Sequence, residues 1–318
     1  MALSVQVENA VGDFAGRAGF TDRGGVVIDI DGIAAYEESG LSVLPSHVEA
    51  GLKCLSDRGR PVVINSLRCP MSLVRTFGQH WATISDSPVP AIGLNGSQIG
   101  YIKRDERGEV GFEEISACVM TSNEINTVLS GVEALQGDRD RELLLFYYPR
   151  DWRMGEIIWT PVPGNVEAVK EKYRSASSVS AVELDKLRKH LGSEEICMLF
   201  LLVQNLEDTA MVHEHSDPTR FFTAKGADKL TGAKAAADLI GFDLHASLGA
   251  GSSPMDVFLN GVGLGVQVGP LDLGFRALDN TIRVTDSFEL GDILCRLAGI
   301  QELANALVSN EKSIGHAR

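Results

Sequence analysis

Short apolar runs alternate with longer helical patterns at both ends of the chain, and this alternation restricts the fold more than any other feature. Residues 26–28 and 61–64 predict two buried strands. Between them Val48, Leu52 and Leu55 recur at helical spacing. Parallel strands need such a crossover helix between them. The sequence therefore predicts an α/β fold, a doubly wound parallel sheet with helices on both of its faces.

The alternation is interrupted in the middle of the chain. A third strand over residues 89–94 ends at Asn95-Gly96, a turn pair. The pieces that follow look like hairpins rather than crossovers, which indicates an inserted α+β module over residues 101–215. Residues 1–100 and 216–318 then form one split core. In its second half we predict helices over residues 229–240 and 290–307 and strands over residues 246–248 and 265–268.

Composition narrows the class of partner. The chain of 318 residues has 43 acidic and 29 basic side chains, a net charge of −14, which repels a polyphosphate backbone and argues against nucleic acid. No run approaches the roughly eighteen apolar residues of a membrane span, and the N-terminal region lacks the apolar stretch of a signal peptide. The five cysteines are widely spaced, which is typical of reduced thiols. We expect a cytoplasmic enzyme or binding protein with a small-molecule ligand.

Polar residues follow the predicted strands at the points where the strands end. Ligands of open parallel sheets bind beyond the carboxyl ends of the strands, so these residues are the candidates for a site. They are Asp29-Ile30-Asp31-Gly32 after the first strand, Asn65-Ser66-Leu67-Arg68 after the second, Lys229 at the start of a returning helix, and a Gly/Ser loop that holds Ser252 and Asp256.

The chemistry of these side chains suits phosphoryl transfer. A carboxylate such as Asp29 can attack phosphorus and form an aspartyl-phosphate. Asp31, two residues on, can face the same pocket if the chain turns at Gly32, and can donate and accept the proton. Ser66 and the amides after it can bind phosphate oxygens, and Lys229 can neutralise the charge that develops in transfer. Because Asp29 would repel phosphate, a cation has to lie between them, and Mg²⁺ suits such oxygen ligands.

The motifs, in this order, resemble those of the haloacid dehalogenase (HAD) superfamily of phosphotransferases. Asp29-x-Asp31-Gly32 is similar to its first motif, Ser66 to the hydroxyl of its second, and residues 226–229 with the Ala-rich helix after them to its third. Asn95-Gly96 resembles the point where the chain enters the cap in the C2-capped branch, which includes Cof-like hydrolases and sugar-phosphate phosphatases. The resemblance implies a HAD-like Rossmannoid core, a C2-type cap and a phosphorylated metabolite, a sugar phosphate above all, as substrate.

The resemblance also implies a set of site residues. Asp29, Asp31, Ser66 and Lys229 would be catalytic. The implied phosphate-binding residues are Gly32, Ser66, Leu67, Arg68, Asn95 and Lys229, although Arg68 is equally well explained as a surface residue. The implied Mg²⁺ ligands are Asp29, Asp31 through its backbone carbonyl, Ser252 and Asp256.

One position departs from the family pattern. The fourth motif of the family usually has Gly-Asp and a second Asp four residues after the first, whereas here Ser252 follows Gly251 and Asp256 supplies the second acid. A hydroxyl in place of a carboxylate removes a full charge from the metal site, so we expect weakened Mg²⁺ binding. Two functions remain: a magnesium-dependent phosphatase with an aspartyl-phosphate intermediate, or a non-catalytic relative that acts in binding or regulation.

Other features admit two interpretations each. The aromatic residues Tyr147, Tyr148, Trp152 and Trp159 of the inserted module can form a stacking face for a sugar or can pack in a core. The run His213-Glu214-His215 can bind a metal, but alternating polar side chains of one strand explain it equally well.

Overall fold

The computed structural model describes residues 3–17, 19–33, 36–38, 41–43, 45–136, 141–205 and 220–315. The strands within these ranges are β1 (Val26–Ile28), β2 (Tyr36–Glu38), β3 (Leu41–Val43), β4 (Val62–Asn65), β5 (Val89–Gly93), β6 (Gln98–Arg104), β7 (Val110–Ala117), β8 (Arg141–Pro149), β9 (Ile157–Trp159), β10 (Ser178–Ser180), β11 (Ile196–Asn205), β12 (Phe221–Thr223), β13 (Leu248–Gly251), β14 (Leu264–Val268) and β15 (Asn280–Val284). The α-helices are α1 (Val5–Arg17), α2 (Phe20–Arg23), α3 (Ser46–Asp57), α4 (Pro70–Leu73), α5 (Gln79–Ile84), α6 (Ser122–Leu135), α7 (Val166–Lys172), α8 (Leu184–Ser193), α9 (Lys229–Ile240) and α10 (Ser287–Gly315).

The largest sheet has eight strands in the order β15-β14-β13-β1-β4-β5-β6-β7. The strands from β15 to β5 pair in parallel, and β6 and β7 extend the sheet with antiparallel pairing. The order reverses at β1, which lies between β13 and β4. The α/β prediction is confirmed, and the carboxyl ends of β1, β4 and β13 meet at the reversal, where such folds bind ligands.

Both faces of the large sheet are covered by helices, which explains why its central strands are apolar throughout. Val26 and Ile28 of β1 point into the core on the side of α3 and α10. Val27, between them in sequence, points into a second apolar cluster beneath α9. Because successive side chains of a strand alternate between the two faces, a strand with both faces covered needs an apolar residue at every position.

A five-stranded sheet in the order β10-β9-β8-β11-β12 forms the centre of the inserted module. Helices α6 and α8 pack on one of its faces, where Tyr147 and Trp159 are buried. Tyr148 is buried on the opposite face. Trp152 packs against Phe112 of β7, with 6.3 Å between the ring centroids. All four aromatic residues named from the sequence therefore pack against apolar side chains.

The hairpin of β6 and β7 lies in the large sheet, whereas the sequence analysis placed it with the inserted module. Strand β6 pairs with β5 from Gln98 to Ile102, and Ile102 and Phe112 belong to the main core cluster. The expected boundary after residue 100 thus falls inside β6, because the apolar side chains of the hairpin continue the core beyond β5. The expected second boundary and His213-Glu214-His215 lie outside the described residues, and the division into residues 1–100 with 216–318 and residues 101–215 stays a prediction.

Strand β13 spans Leu248–Gly251, later than the predicted residues 246–248. Its two glycines resemble a loop in the sequence, but close packing requires both of them. A β-carbon on Gly249 would lie 2.9 Å from the side chain of Val262, and one on Gly251 would lie 2.6 Å from the β-carbon of Asp256. The strand therefore uses glycine to let neighbouring chain segments approach the sheet. None of the described helices is long and apolar enough to cross a membrane.

The five cysteines are free, but only Cys69 and Cys197 are buried. Burial raises the pKa of the Cys69 thiol to about 11 and that of the Cys197 thiol to about 12. Because the thiolate is the reactive form, we expect both to resist iodoacetamide at neutral pH in the native protein while the exposed Cys118 is alkylated. Peptide mass mapping before and after denaturation measures this. Alkylation of Cys69 as fast as that of Cys118 would contradict it.

Candidate active site

Chain segments from four parts of the sequence meet at the carboxyl ends of β1, β4 and β13. Asp29 directly follows β1, and its backbone N–H donates to the carbonyl of Ala250 in β13 at 3.0 Å. Ser66 follows β4 and is fully buried. Lys229 is the first residue of α9, which the capping box of Asp228 and Thr231 starts at this point. The site residues are thus positioned by strand ends and one helix start.

Lys229 lies between two carboxylates in the interior of the protein. Its Nζ is 2.9 Å from Asp29 Oδ1 and 2.6 Å from Asp256 Oδ1. All three side chains are at most 5% exposed. Burial alone would lower the pKa of Lys229, but the carboxylates of Asp256 and Asp29 outweigh burial and raise the pKa above its usual range. Lys229 is therefore a fixed positive charge, and its role in neutralising a phosphoryl group stays a prediction.

Ionisation of the Asp29 carboxyl is energetically unfavourable in the folded protein. Burial, and next the carboxylate of Asp256, raise its pKa to about 7, although Lys229 acts in the opposite direction. Asp29 Oδ1 is buried, and its partner among the described residues is the ammonium group of Lys229 at 2.9 Å. Lys229 provides one positive charge for two buried carboxylates, so one negative charge is left uncompensated when both are ionised. A cation near Asp29 would offset that charge.

Asp256 is engaged on both of its carboxylate oxygens. Oδ2 accepts hydrogen bonds from the backbone N–H groups of Ser252 and Ser253, both at 2.8 Å, and from Ser253 Oγ at 3.2 Å. Oδ1 accepts from Lys229 Nζ. The residue is fully buried. Asp256 thus anchors the loop after β13, and Oδ1 keeps a lone pair beside Lys229.

Ser252 lies at the carbonyl that the family resemblance assigns to the metal. Its Oγ donates a hydrogen bond to the backbone oxygen of Asp31 at 3.1 Å. The chain turns next to this bond at Gly32, whose φ of +70° favours glycine, and a β-carbon there would lie 3.5 Å from Ser252 Oγ. Gly32 thus shapes the turn after Asp31, and the hydroxyl of Ser252 ties that turn to the loop after β13.

The guanidinium group of Arg68 binds both carboxylate oxygens of Asp31 through three hydrogen bonds. Arg68 Nε lies 2.9 Å from Asp31 Oδ1 and 3.1 Å from Oδ2, and a terminal nitrogen lies 2.5 Å from Oδ1. Both side chains are about one quarter exposed, at 23% and 27%. The bidentate geometry fixes the orientation of both groups. Arg68, for which two interpretations were open, is therefore a partner of the candidate proton donor at the edge of the site.

The second strand end is held to the other segments by backbone contacts. Ser66 Oγ accepts from the N–H of Arg68 at 3.2 Å, and the Ser66 carbonyl accepts from the N–H of Asn95 at 3.3 Å. Asn65, a candidate by its place at the strand end but without a predicted role, donates from Nδ2 to the carbonyl of Lys229 at 2.9 Å. Its place at the end of an apolar strand is the signal that identified it. Leu67 is buried, and because its side chain is apolar it could bind phosphate only through its backbone N–H group.

The chain leaves β5 through a left-handed turn. Leu94 and Asn95 have φ values of 52° and 56°, which non-glycine residues rarely adopt. Asn95 is 8% exposed and lies beside Ser66. Consecutive strained residues persist only where the surroundings fix them, and such positions concentrate at functional sites. The turn places Asn95 next to Ser66, and a role of Asn95 in phosphate binding stays a prediction.

The oxygen donors fit Mg²⁺ in part. Asp29 provides a buried carboxylate paired with Lys229, the Asp31 carbonyl has a second lone pair, and Ser252 offers a neutral hydroxyl. Mg²⁺ is commonly held by one or two protein carboxylates together with phosphate and water. Among the described residues no group of three or more His, Cys, Asp or Glu side chains forms a metal cluster. The site is therefore suited to an ion that a phosphorylated ligand helps to hold.

Comparisons with known proteins support the fold. No model of a known protein family matches the sequence, and no curated protein matches it. Solved structures do match. One is a HAD superfamily phosphatase from Bacteroides thetaiotaomicron, with 16% identity, a TM-score of 0.59 and coverage of 88% of this chain and 96% of that one. A sugar phosphatase of HAD subclass IIB has 16% identity, a TM-score of 0.59 and coverage of 85% and 96%.

A third match is a protein from Thermotoga maritima, with 14% identity, a TM-score of 0.60 and coverage of 86% of this chain and 97% of that one. These structures are covered almost completely, so the likeness includes the core and the inserted module together. The chain therefore has the fold of the HAD superfamily phosphatases, as the motifs at the strand ends predicted.

Proposed function

We propose that the protein is a phosphatase that hydrolyses the phosphate monoester of a small metabolite through an aspartyl-phosphate on Asp29. The observation that carries the proposal is the buried group of Asp29, Lys229 and Asp256 at the sheet reversal, with Ser66 and Asp31 on the adjoining strand ends. Burying a lysine and two carboxylates costs desolvation free energy, so stability alone is a weak explanation for this group. Here it would hold the nucleophile and meet the charge of the phosphoryl group.

The reaction would proceed in two displacements. An Asp29 carboxylate oxygen attacks phosphorus, the bond from phosphorus to the leaving oxygen breaks, and Asp31 gives that oxygen a proton. A water molecule then attacks phosphorus, Asp31 takes one of its protons, and the bond to Asp29 breaks to release inorganic phosphate. Mg²⁺ held by Asp29 and the Asp31 carbonyl would supply positive charge beside the phosphate oxygens. Ser66 and Lys229 would bind those oxygens throughout.

The pairing of Arg68 with Asp31 adds a step to this scheme. Both oxygens of Asp31 accept hydrogen bonds from the guanidinium group, so the carboxyl has to release one of them before it can transfer a proton. A phosphate group is an equally good bidentate partner for arginine. We propose that Arg68 leaves Asp31 for the phosphate of the substrate, so that substrate binding itself frees the proton donor.

A sugar phosphate is the substrate class that the sequence motifs imply, and one similar structure is that of a sugar phosphatase. The second candidate function is phosphate binding without turnover, in a regulatory role. Ser252 favours it, because a neutral hydroxyl in place of a carboxylate leaves the site with fewer anionic oxygens for a metal. Both functions use the same pocket and differ only in whether Asp29 reacts.

Phosphate release from an aryl phosphate and from a panel of sugar phosphates, each with Mg²⁺ and with EDTA, distinguishes the two functions. Turnover that requires Mg²⁺ is the expected result. Binding of inorganic phosphate without turnover of any ester would favour the regulatory protein. A protein that neither binds phosphate nor releases it from any ester would contradict both functions.

We expect Ser252→Asp to strengthen Mg²⁺ binding by about 10-fold or more, because it adds a carboxylate at the turn that carries the Asp31 carbonyl. Isothermal titration of Mg²⁺ in the presence of inorganic phosphate measures the affinity directly. Ser253→Asp, one residue along the same loop, adds the same charge without touching that carbonyl, although it also removes the hydroxyl that donates to Asp256 Oδ2. An equal gain in both variants would show that general negative charge, rather than a ligand at position 252, is responsible.

A further inference from the structure

A buried amide side chain connects the strand that leads to Ser66 with the helix that begins at Lys229. Asn65 is the last residue of β4, and its Nδ2 donates a hydrogen bond to the backbone carbonyl of Lys229 at 2.9 Å. Ser66 is the next residue along the chain, and Lys229 is the first residue of α9. One side chain therefore joins two segments of the candidate site that are 164 residues apart in the sequence.

The amide of Asn65 occupies a place that is otherwise apolar. Strand β4 is buried at all four positions, and Val63 points into the apolar cluster beneath α9. Because side chains two residues apart lie on the same face of a strand, Asn65 faces that cluster as well. An apolar side chain would fit these surroundings without the loss of hydration that an amide suffers. Packing alone therefore does not explain an amide at this position.

Only one end of the Asn65 amide is paired. The residue is fully buried, and its Oδ1 has no hydrogen-bond partner among the described residues. A buried acceptor without a partner lowers the free energy of unfolding, because the group has lost its water. Such atoms are uncommon in folded proteins, and each of them needs a reason. The reason that the structure offers is the other end of the amide, which holds the carbonyl of Lys229.

The bond from Asn65 fixes a position that other contacts of α9 leave open. The capping box at Asp228 sets the residue at which the helix starts. Gly232 lies close to Gly96, since a β-carbon on Gly232 would be 2.7 Å from the α-carbon of Gly96, and this contact sets the distance of the helix from the segment after β5. Neither contact involves β4. A hydrogen bond is directional, so the bond from Asn65 sets where Lys229 lies relative to β4.

The side chain of Lys229 makes the position of its backbone important. A lysine reaches its partners through a flexible four-carbon stem, so the backbone has to be held if the ammonium group is to stay in one place. After a small shift of the backbone, the stem could still bring Nζ to Asp29 and Asp256. Loss of the Asn65 bond should therefore leave the buried charges paired but displace the ammonium group relative to a phosphate held at Ser66.

We propose that Asn65 is a positioning residue, which holds Lys229 through its backbone carbonyl in place relative to the phosphate-binding end of β4. The inference rests on the proposed function, since it assigns a further residue to the same reaction. Asn65 acts through Lys229 and needs no contact with the substrate. A displaced ammonium group still attracts the phosphate, but it stabilises the charge that develops during transfer less well, which lowers kcat more than it changes KM.

Replacing Asn65 by leucine tests the proposal, because leucine has the same branched shape and no donor. With phosphate release measured on an aryl phosphate and Mg²⁺, we expect kcat to fall by about 10- to 100-fold and KM to change by less than about three-fold. The midpoint of urea unfolding should not fall, because the variant also removes the unpaired Oδ1 and buries more apolar surface. Asn65→Ala, which cannot overfill the space, should show the same loss of kcat.

Gln301→Leu is the matched control. Gln301 of α10 is also a buried amide, whose Nε2 donates to the backbone carbonyl of Thr21 at 3.1 Å and whose Oε1 has no partner within the described ranges. Thr21 belongs to α2, which precedes β1, so this amide lies away from the carboxyl ends of the strands. The replacement in Gln301→Leu is chemically the same, and kcat should stay at the wild-type value.

The possible outcomes separate the inference from the proposed function. Unchanged kcat in both Asn65 variants, or an equal loss of kcat in Gln301→Leu, overturns the inference while the proposed function stands. A lower urea midpoint in Asn65→Leu together with equal changes in kcat and KM would assign Asn65 a structural role and overturn it as well. Absence of turnover in the wild type overturns the proposed function and the inference with it.

Discussion

Replacing Asp29 by asparagine is expected to abolish turnover and to stabilise the protein above neutral pH. Loss of the nucleophile should lower kcat on the order of 10⁴-fold. The gain in stability follows from the pKa of Asp29, which rises from 3.8 to about 7 in the folded protein. The folded state holds this proton more tightly than the unfolded chain, so ionisation of Asp29 costs the wild type stability as pH rises from about 4 to about 7. Asparagine removes that cost.

Chemical denaturation in EDTA at a series of pH values measures the second effect. The advantage of Asp29→Asn over the wild type should be small near pH 4, increase up to about pH 7 and then level off. Asp238→Asn, on the exposed face of α9, is the control and should alter neither kcat nor stability. If Asp29→Asn were less stable than the wild type at about pH 8, the attraction between the Asp29 carboxylate and Lys229 would outweigh the cost of burying that carboxylate.

Replacing Lys229 by methionine is expected to have the opposite effect on stability. Methionine fills a similar volume but leaves Asp29 and Asp256 buried without a counter-charge. Removal of one partner from a buried ion pair typically costs about 3–5 kcal/mol of unfolding free energy. Turnover should be lost as well, because no other described side chain supplies a positive charge between these carboxylates. Urea denaturation at about pH 7.5 gives the stability, and phosphate release gives the activity.

Lys234→Met is the control for this variant. It lies on the same helix with its side chain exposed, so its unfolding free energy should stay within about 0.5 kcal/mol of the wild type. The combination Lys229→Met with Asp29→Asn should recover part of the loss, since it removes one of the two unpaired charges. A double variant no more stable than Lys229→Met would show that the methionine disrupts packing rather than charge balance.

The parts of the fold that sequence predicts are those decided by local pattern. Strand β1 and helix α9 have the predicted bounds, because an unbroken apolar run and a capped alanine-rich helix leave few alternatives. Helix α1 was not predicted: it carries two glycines and an exposed valine, so its pattern is weak and it depends on packing against α10. Strand β15 was missed because only Ile282 and Val284 of its five residues are buried.

The residues that meet at the candidate site could be predicted from the sequence, but the hydrogen bonds between them could not. Position after a strand end identified Asp29, Asp31, Ser66 and Lys229 as candidates, since parallel strands bring their ends together. No sequence pattern indicates that Asp31 pairs with Arg68, 37 residues away, or that the hydroxyl of Ser252 bonds the Asp31 carbonyl. Those contacts depend on loop conformations that the tertiary structure fixes.

Close contact at Gly96 determines where the chain tolerates insertions and deletions. Its φ is +90°, and a β-carbon there would lie 2.0 Å from the backbone oxygen of Asp228. The segment leaving β5 therefore touches the one that begins α9, and a single added residue in either would shift Lys229 against Asp29. The exposed turn over residues 105–108, at the tip of the β6–β7 hairpin, is free of that constraint. Length variation among relatives, and any engineered tag, is best accommodated there.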